Sequence, residues 1–444
     1  MPNRLLSFYG DDFTGSSDVM EAMASHGVPT VLFTRQPTEA EFTPFADYSA
    51  VGLAGSSRSQ SPAWMDAHLT PALTWLKSLG AAHCLYKVCS TFDSSPSVGS
   101  IGKAIEIGRA VFDQTSIPLV VGVPQLKRYT AFGTLFAAYQ GGVYRIDRHP
   151  VMSCHPVTPM HEPDLSLHLA RQTGTPIGLV GLDVLGRSGC NADVDRIVAD
   201  TKGVVLFDVA DPASQLAAGR QLIRLTPSVG SFVAGSSGVA YALLRALIET
   251  GDVSAGQRFA AVPPADRVIA MSGSVSPTSE RQIRHAMRHG FAGVAVDPVR
   301  LVTDYSGESE RVLAAATTAL RSGQSALLYT ALGPATDHSA ALDAIAGARQ
   351  TAGEHLGRIA RALIAQNELR RVIFAGGDTS SHALGQLDIY ALTTRLPLTA
   401  TPGSPLCTAH SADPSLNGID LAMKGGQVGH DDYFTMLRDG VAAI

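Results

Sequence analysis

Leu5–Phe33, LLSFYGDDFTGSSDVMEAMASHGVPTVLF, is the stretch from which the fold is read. Leu5–Tyr9 is short, apolar and stopped by Gly10, which predicts a strand. Ser16–His26 sets Val19, Ala22 and Met23 on one helical face, and Val28–Phe33 is a second strand-forming run. Ser16 or Ser17 is the expected helix cap, and Gly27 is suited to the left-handed conformation just past the helix end. The result is a βαβ opening, and such a crossover joins parallel strands.

The alternation continues outward from there. Strands are expected over Ala50–Ala54, Cys84–Val88, Leu119–Val123, Ile177–Gly181, Val204–Asp208 and Ser231–Ala234, with helices over Trp64–Leu79 and Gly99–Phe112. Gly235-Ser236-Ser237-Gly238 leads into a further helix ending near Thr250; it is read as a structural turn and, secondarily, as an anion nest. The polar, Pro-containing residues 251–266 read as a linker. Beyond it a second series opens with strand Arg267–Met271 and helix Thr278–His289. It continues through strands Gly293–Val296, Ala326–Thr330, Val372–Ala375 and Ile419–Met423 to a terminal helix. The fold class expected is therefore α/β: two α/β domains with largely parallel sheets, residues 1–250 and 267–444, and an interdomain active-site cleft. A length of 444 residues exceeds what one core ordinarily supports.

Composition narrows the function. A net charge of -5 without a basic run gives no electrostatic footprint for nucleic acid or an anionic membrane. Five scattered cysteines without CxxC spacing point to reduced thiols, and the N-terminal apolar run is too short for a signal core, so a cytoplasmic protein is expected. His149, His155 and His161 recur at a spacing that fits no helix face and read as loop residues. Trp64, Trp75, Met20 and Met23 read as packing residues.

Ligands of open α/β sheets bind outside the carboxyl ends of the strands. In the first half those ends carry Asp11 and Asp12, then Arg58, then Lys87 followed by Cys89-Ser90-Thr91-Phe92-Asp93. Cations there suit a carboxylate and aspartates suit hydroxyls, so a polyhydroxy carboxylate fits the inventory. Asp12, or Asp11, is the candidate base for a hydroxyl attacking phosphorus, with Arg58, Lys87, Ser90 and Thr91 as candidate substrate-binding residues. The second half offers three glycine turns after strands: Ser272-Gly-Ser-Val-Ser276, Ala375-Gly-Gly-Asp-Thr-Ser380 and Lys424-Gly-Gly-Gln-Val-Gly429. Such turns bring backbone amides close to phosphate oxygens. GxxxxGK[ST] and GxGxxG are both absent, which excludes a Walker loop and disfavours the competing nicotinamide oxidoreductase. A non-catalytic sugar-acid-binding protein is the other alternative, disfavoured by the missing export signal.

Several motifs in order resemble the four-carbon acid sugar kinases over essentially the whole chain. They are Asp11-Asp-Phe-Thr-Gly15 with Asp18, Lys87-Val-Cys-Ser-Thr-Phe-Asp-Ser94, His155-Pro-Val-Thr-Pro-Met160, Ser272-Gly-Ser-Val-Ser-Pro277, Gly376-Gly-Asp-Thr-Ser380 and Leu421-Ala-Met-Lys-Gly-Gly-Gln-Val-Gly429. The resemblance implies an N-terminal substrate domain, a C-terminal nucleotide domain, and ATP with Mg²⁺ phosphorylating D-threonate, D-erythronate, 3-oxo-tetronate or a related acid. It places Asp12, Arg58, Lys87 and Ser90 on the substrate. Ser274, Gly376, Gly377, Asp378, Thr379, Gly425, Gly426 and Gln427 it places on ATP. The expected partners are thus a sugar acid and ATP, with a homodimer as the candidate assembly. The chain departs from the family's usual Ala residues at Gly10 and Ser16, and in the segment before Arg58. This version resembles the branch acting on 3-oxo-isoapionate.

Overall fold

The computed structural model of the chain describes residues 4–399 and 401–444, without the side chains of residues 378–380. It divides into two compact units, Met1–Gln257 and Arg258–Ile444. The first contains β1 (Leu6–Gly10), β2 (Thr30–Phe33), β3 (Ala50–Ala54), β4 (His83–Lys87), β5 (Ile117–Val120), β6 (Arg128–Ala131), β7 (Thr134–Tyr139), β8 (Gly142–Arg145), β9 (Ile177–Val180), β10 (Val204–Phe207) and β11 (Phe232–Gly235). Its main sheet runs β2-β3-β1-β4-β11-β5-β10-β9, and every pairing is parallel. β1 and β4 are buried along their whole length, as helix-covered parallel strands must be.

Helix α1, Phe13–Ser25, follows β1 and leads to β2 on one side, whereas the chain leaving β3 passes to β4 on the other side of β1. Winding reverses at β1, which makes its carboxyl end the switch-point crevice of this sheet. The cap of α1 is Asp12, whose carboxylate accepts from the Gly15 amide; Ser16 and Ser17, expected as caps, lie inside the helix instead. A carboxylate satisfies the first free amides and complements the positive helix end, so helix formation starts earlier than the apolar periodicity indicates. Gly27 takes a φ of 76° just after the helix, as anticipated.

A three-stranded antiparallel sheet, β6-β7-β8, grows from the segment after β5 and was not foreseen. Its strands are half-exposed, so neither a continuous apolar run nor a clean alternation announces them.

The second unit holds β12 (Ile269–Ser272), β13 (Phe291–Ala295), β14 (Ser325–Tyr329), β15 (Arg371–Ala375), β16 (Ile389–Leu396), β17 (Leu406–Ser411) and β18 (Asp420–Lys424). Their order is β13-β14-β12-β15-β18-β17-β16, parallel from β13 through β18 and antiparallel across β17 and β16. Sequence reading supplied the parallel strands and missed this antiparallel pair. Its core packs Ala270, Ile283, Ile373, Ala422, Tyr433 and Phe434 together.

Candidate active site

Backbone bonds between strand ends assemble the first half of the site. The Asp11 amide donates to the Lys87 carbonyl (2.9 Å) and the Arg58 amide to the Asp11 carbonyl (3.0 Å), so the ends of β1, β3 and β4 are tied into one edge. Arg58 then engages both aspartates. Its Nε and Nη2 reach Asp11 at 3.1 and 2.8 Å, while Nη2 and Nη1 reach Asp12, each at 3.0 Å. Lys87 Nζ stands 3.9 Å from Asp12 Oδ1. Of the five N–H donors a guanidinium owns, four are committed here.

The two aspartates differ in what they can do. The Asp11 side chain is 5% exposed and that of Asp12 23%, so Asp12 is the more open carboxylate. Burial raises the Asp11 pKa, an effect Arg58 only partly offsets. Burial also opposes ionisation of Asp12, but Arg58, Lys87, the Thr14 hydroxyl (2.8 Å) and the Gly15 amide (2.9 Å) outweigh it and hold its pKa below the usual value. Asp18, on α1, is a third carboxylate in the field of Lys87. Burial raises its pKa, and its Oδ1 has no hydrogen-bond partner among the described residues.

Gly10 and Ser16 occupy one volume. A Cβ on Gly10 would lie 1.8 Å from Ser16 Oγ, which donates to the Asp12 carbonyl at 2.6 Å. The missing methyl at residue 10 makes room for the added hydroxyl at residue 16, directly behind the Asp12 backbone.

The loop after β4 is locked to a distant segment. Cys89 Sγ meets Thr91 Oγ1 (2.9 Å), Thr91 donates to Asp93 (2.5 Å), and Thr158, bonded to His155 Nδ1 (3.1 Å), donates to the other Asp93 oxygen at 3.5 Å. Thr91 is thus buried and turned toward Asp93, while Ser90 remains half-exposed. Sequence reasoning named Thr91 and placed Asp93 at this edge but did not name Asp18, His155 or Thr158 as site members; their presence in the quoted motifs was the available signal. In Gly235–Gly238, Ser236 donates to the Val121 carbonyl at 2.7 Å and caps the Gly238 amide at 2.9 Å, which supports the structural-turn reading.

In the second unit the three glycine turns leave adjacent strands, β12, β15 and β18. Ser276 caps the helix Pro277–Arg288, and the Ser276 and Ser279 hydroxyls both donate to the Gly426 carbonyl, pinning one turn on another. Gly376 has a φ of 117°, which a side chain would strain, and its amide donates to the Lys424 carbonyl at 2.9 Å. A cleft of about 490 Å³ opens here, lined by Ser274, Gly376, Gly377, Gly426 and Gln427 among others. That volume suits a small-molecule ligand. Gly425 joins these residues by sequence without lining the cleft, and the Asp378 and Thr379 side chains lie outside the described residues. Lys424, unremarked in the sequence beside its glycines, is fully buried. Its ammonium donates to the Gly425 carbonyl (3.1 Å), lies 5.6 Å from the Tyr433 ring centre, and is lowered by burial to a pKa of about 8.

A larger cleft, about 580 Å³, lies by Arg109, Asp113, Thr115 and Pro176, where the chain enters β5 and β9. This is the amino-end edge of the sheet, opposite the side where α/β folds bind ligands, and none of the motifs reaches it.

Comparison with known proteins agrees with the division of the chain. Residues 6–243 match the family model of a sugar-binding N-terminal domain, and residues 269–434 that of a nucleotide-binding C-terminal domain. The chain is 45% identical to a 3-oxo-isoapionate kinase of Paraburkholderia graminis, covering 98% of this chain and 94% of that protein. It is 30% identical to a 3-oxo-tetronate kinase of Methylobacterium radiotolerans, covering 98% and 99%. Among solved structures, a Salmonella typhimurium protein described as a tRNA synthase matches with a TM-score of 0.77 at 24% identity, covering 97% and 98%. A Haemophilus influenzae protein matches with a TM-score of 0.70 at 23% identity and the same coverage. These two likenesses concern the fold alone. From both domain models and from relatives matched along nearly the whole chain, this protein belongs to the four-carbon acid sugar kinase family.

Proposed function

We propose that this protein transfers the γ-phosphoryl group of ATP to a hydroxyl of a small sugar acid, and that the acid is 3-oxo-isoapionate. The observation that carries the reaction is the cluster of Asp12, Asp11, Arg58 and Lys87 at the switch point of the first sheet. The choice of acid rests on the Paraburkholderia graminis relative.

Phosphoryl transfer demands orientation and charge stabilisation more than a strong base. Asp12 suits this: kept ionised by its neighbours and partly open, it accepts the acceptor hydroxyl's hydrogen bond and takes the proton as the O–P bond forms. Asp11, almost enclosed, positions Arg58, and Ser90 offers a hydroxyl from the same edge. For the nucleotide, Ser274 and the backbone of Gly376, Gly377, Gly425, Gly426 and Gln427 receive the phosphates, with Asp378 and Thr379 at the start of the helix Gly377–Leu384. ATP enters as its Mg²⁺ complex. Bound with the nucleotide, Mg²⁺ would offset charge on the phosphates during transfer.

None of the five cysteines forms a disulfide, which suits a reducing, cytoplasmic setting, and among the described residues no helix is long and apolar enough to cross a membrane. A homodimer is the proposed assembly.

ADP release with 3-oxo-isoapionate tests this reading. Asp12→Asn is expected to lower kcat by about 10²-fold or more while the KM for ATP changes little. Near-normal turnover in that variant would remove Asp12 from its role.

A further inference from the structure

We propose that Arg128 binds the carboxylate of the sugar acid. This rests on the sugar-acid kinase reading above and names a contact that the motifs do not include.

A carboxylate substrate needs an available cation, and the two foremost candidates are already engaged. Arg58 commits four donors to Asp11 and Asp12. Lys87 is 5% exposed and leans on Asp12. Together these four charges cancel, leaving little net attraction for a further anion.

Arg128 is in the opposite condition. It begins β6, and an antiparallel bridge to Val123 holds it against the segment leaving β5. Its Nη1 donates to the Leu126 carbonyl at 2.7 Å and more weakly to that of Lys127 at 3.5 Å. Its Nε is buried without an acceptor, and among the described residues no carboxylate lies within ion-pairing distance of it. Burial lowers its pKa, an effect that Cys89 and Tyr129 nearby offset only in part. Arg128 is half-buried and its Nε is withdrawn from water, so a buried donor is left that an anion would help to satisfy.

Its location is right for the acid. β5 stands two strands from β4 in the sheet, roughly 10 Å at the ordinary strand spacing. Cys89, in the loop after β4, lies within electrostatic range of both Arg58 and Arg128, so both cations lie near that loop. On this proposal the acid's hydroxyl end meets Asp12 and its carboxylate end meets Arg128. The fork geometry of arginine matches a carboxylate with two parallel hydrogen bonds.

Calorimetric binding without ATP tests this with 3-oxo-isoapionate and its neutral amide as probes, on the full-length protein and on Arg128→Gln and Arg128→Lys. The expected result is acid affinity falling by about 10- to 100-fold in Arg128→Gln, with amide affinity nearly unchanged and partial recovery in Arg128→Lys. An unchanged ATP KM and unfolding midpoint show that the fold is intact. Should the glutamine variant not fold, the lysine variant alone decides, through an acid-over-amide preference reduced below that of wild type. The proposal is overturned if acid affinity stays within about twofold of wild type, or if acid and amide weaken equally. Wild type that binds the acid but releases no ADP would refute the kinase reading alone; wild type that binds none of it would refute both.

Discussion

Gly10 and Ser16 illustrate how two single residues act as one. With a Cβ at residue 10 placed 1.8 Å from Ser16 Oγ, Gly10→Ala forces either the serine rotamer or the backbone of the Asp11–Asp12 turn to move. The expected cost is about 1–3 kcal/mol, as for other overpacked sites. Ser16→Ala removes the obstacle, so the double variant is expected to recover most of that loss, a coupling of about 1–2 kcal/mol in a double-mutant cycle followed by urea unfolding. Additive effects would show that the two positions are independent. The sequence made Gly10 and Ser16 visible as departures from the family but not as partners, because their contact depends on the helix starting at Phe13. Arg58 and Asp12 were legible as candidate site residues from their places after strands. That Arg58 is largely saturated by two aspartates was not, since it depends on distances between three strand ends.

Strands and their ends carry the next level of the account. β1, β3, β4, β12, β15 and β18 were readable because each is a short apolar run closed by a glycine or a charged residue, and those closures carry the candidate functional groups. β6–β8 were not readable, because half-exposed strands carry mixed patterns that resemble loops; in the β16–β17 pair, Thr, His and Ser interrupt the apolar runs. Arg128, carried by β6, was hidden with them. Lys424, closing β18, adds a pH dependence. Its folded-state pKa of about 8 lies below the ordinary lysine value, so between the two the unfolded chain binds more protons and stability rises with pH. The penalty is fully present below pH 8 and gone above the unfolded value. Between about pH 7.5 and 9.5 the unfolding free energy of wild type is expected to gain about 2 kcal/mol over that of Lys424→Met. Parallel pH profiles of the two proteins in urea titrations would contradict a buried, depressed lysine.

Over the whole molecule, two α/β units carry complementary chemistry: a charged switch point in one, and three glycine turns on adjacent strands in the other. This organisation was legible because alternating strands and helices, a polar stretch after Thr250 and ordered motifs all point the same way. What remained hidden was long-range: the Thr158–Asp93 contact and the isolation of Arg128 both join residues far apart in the chain. The central claim is a transfer, so the measurement that tests it most directly follows the phosphorus itself. In ³¹P NMR of the protein with Mg·ATP and 3-oxo-isoapionate, a new phosphomonoester resonance is expected to grow in step with ADP, only when the acid is present. ADP accompanied by inorganic phosphate alone, or no consumption of ATP with the acid present, would contradict it.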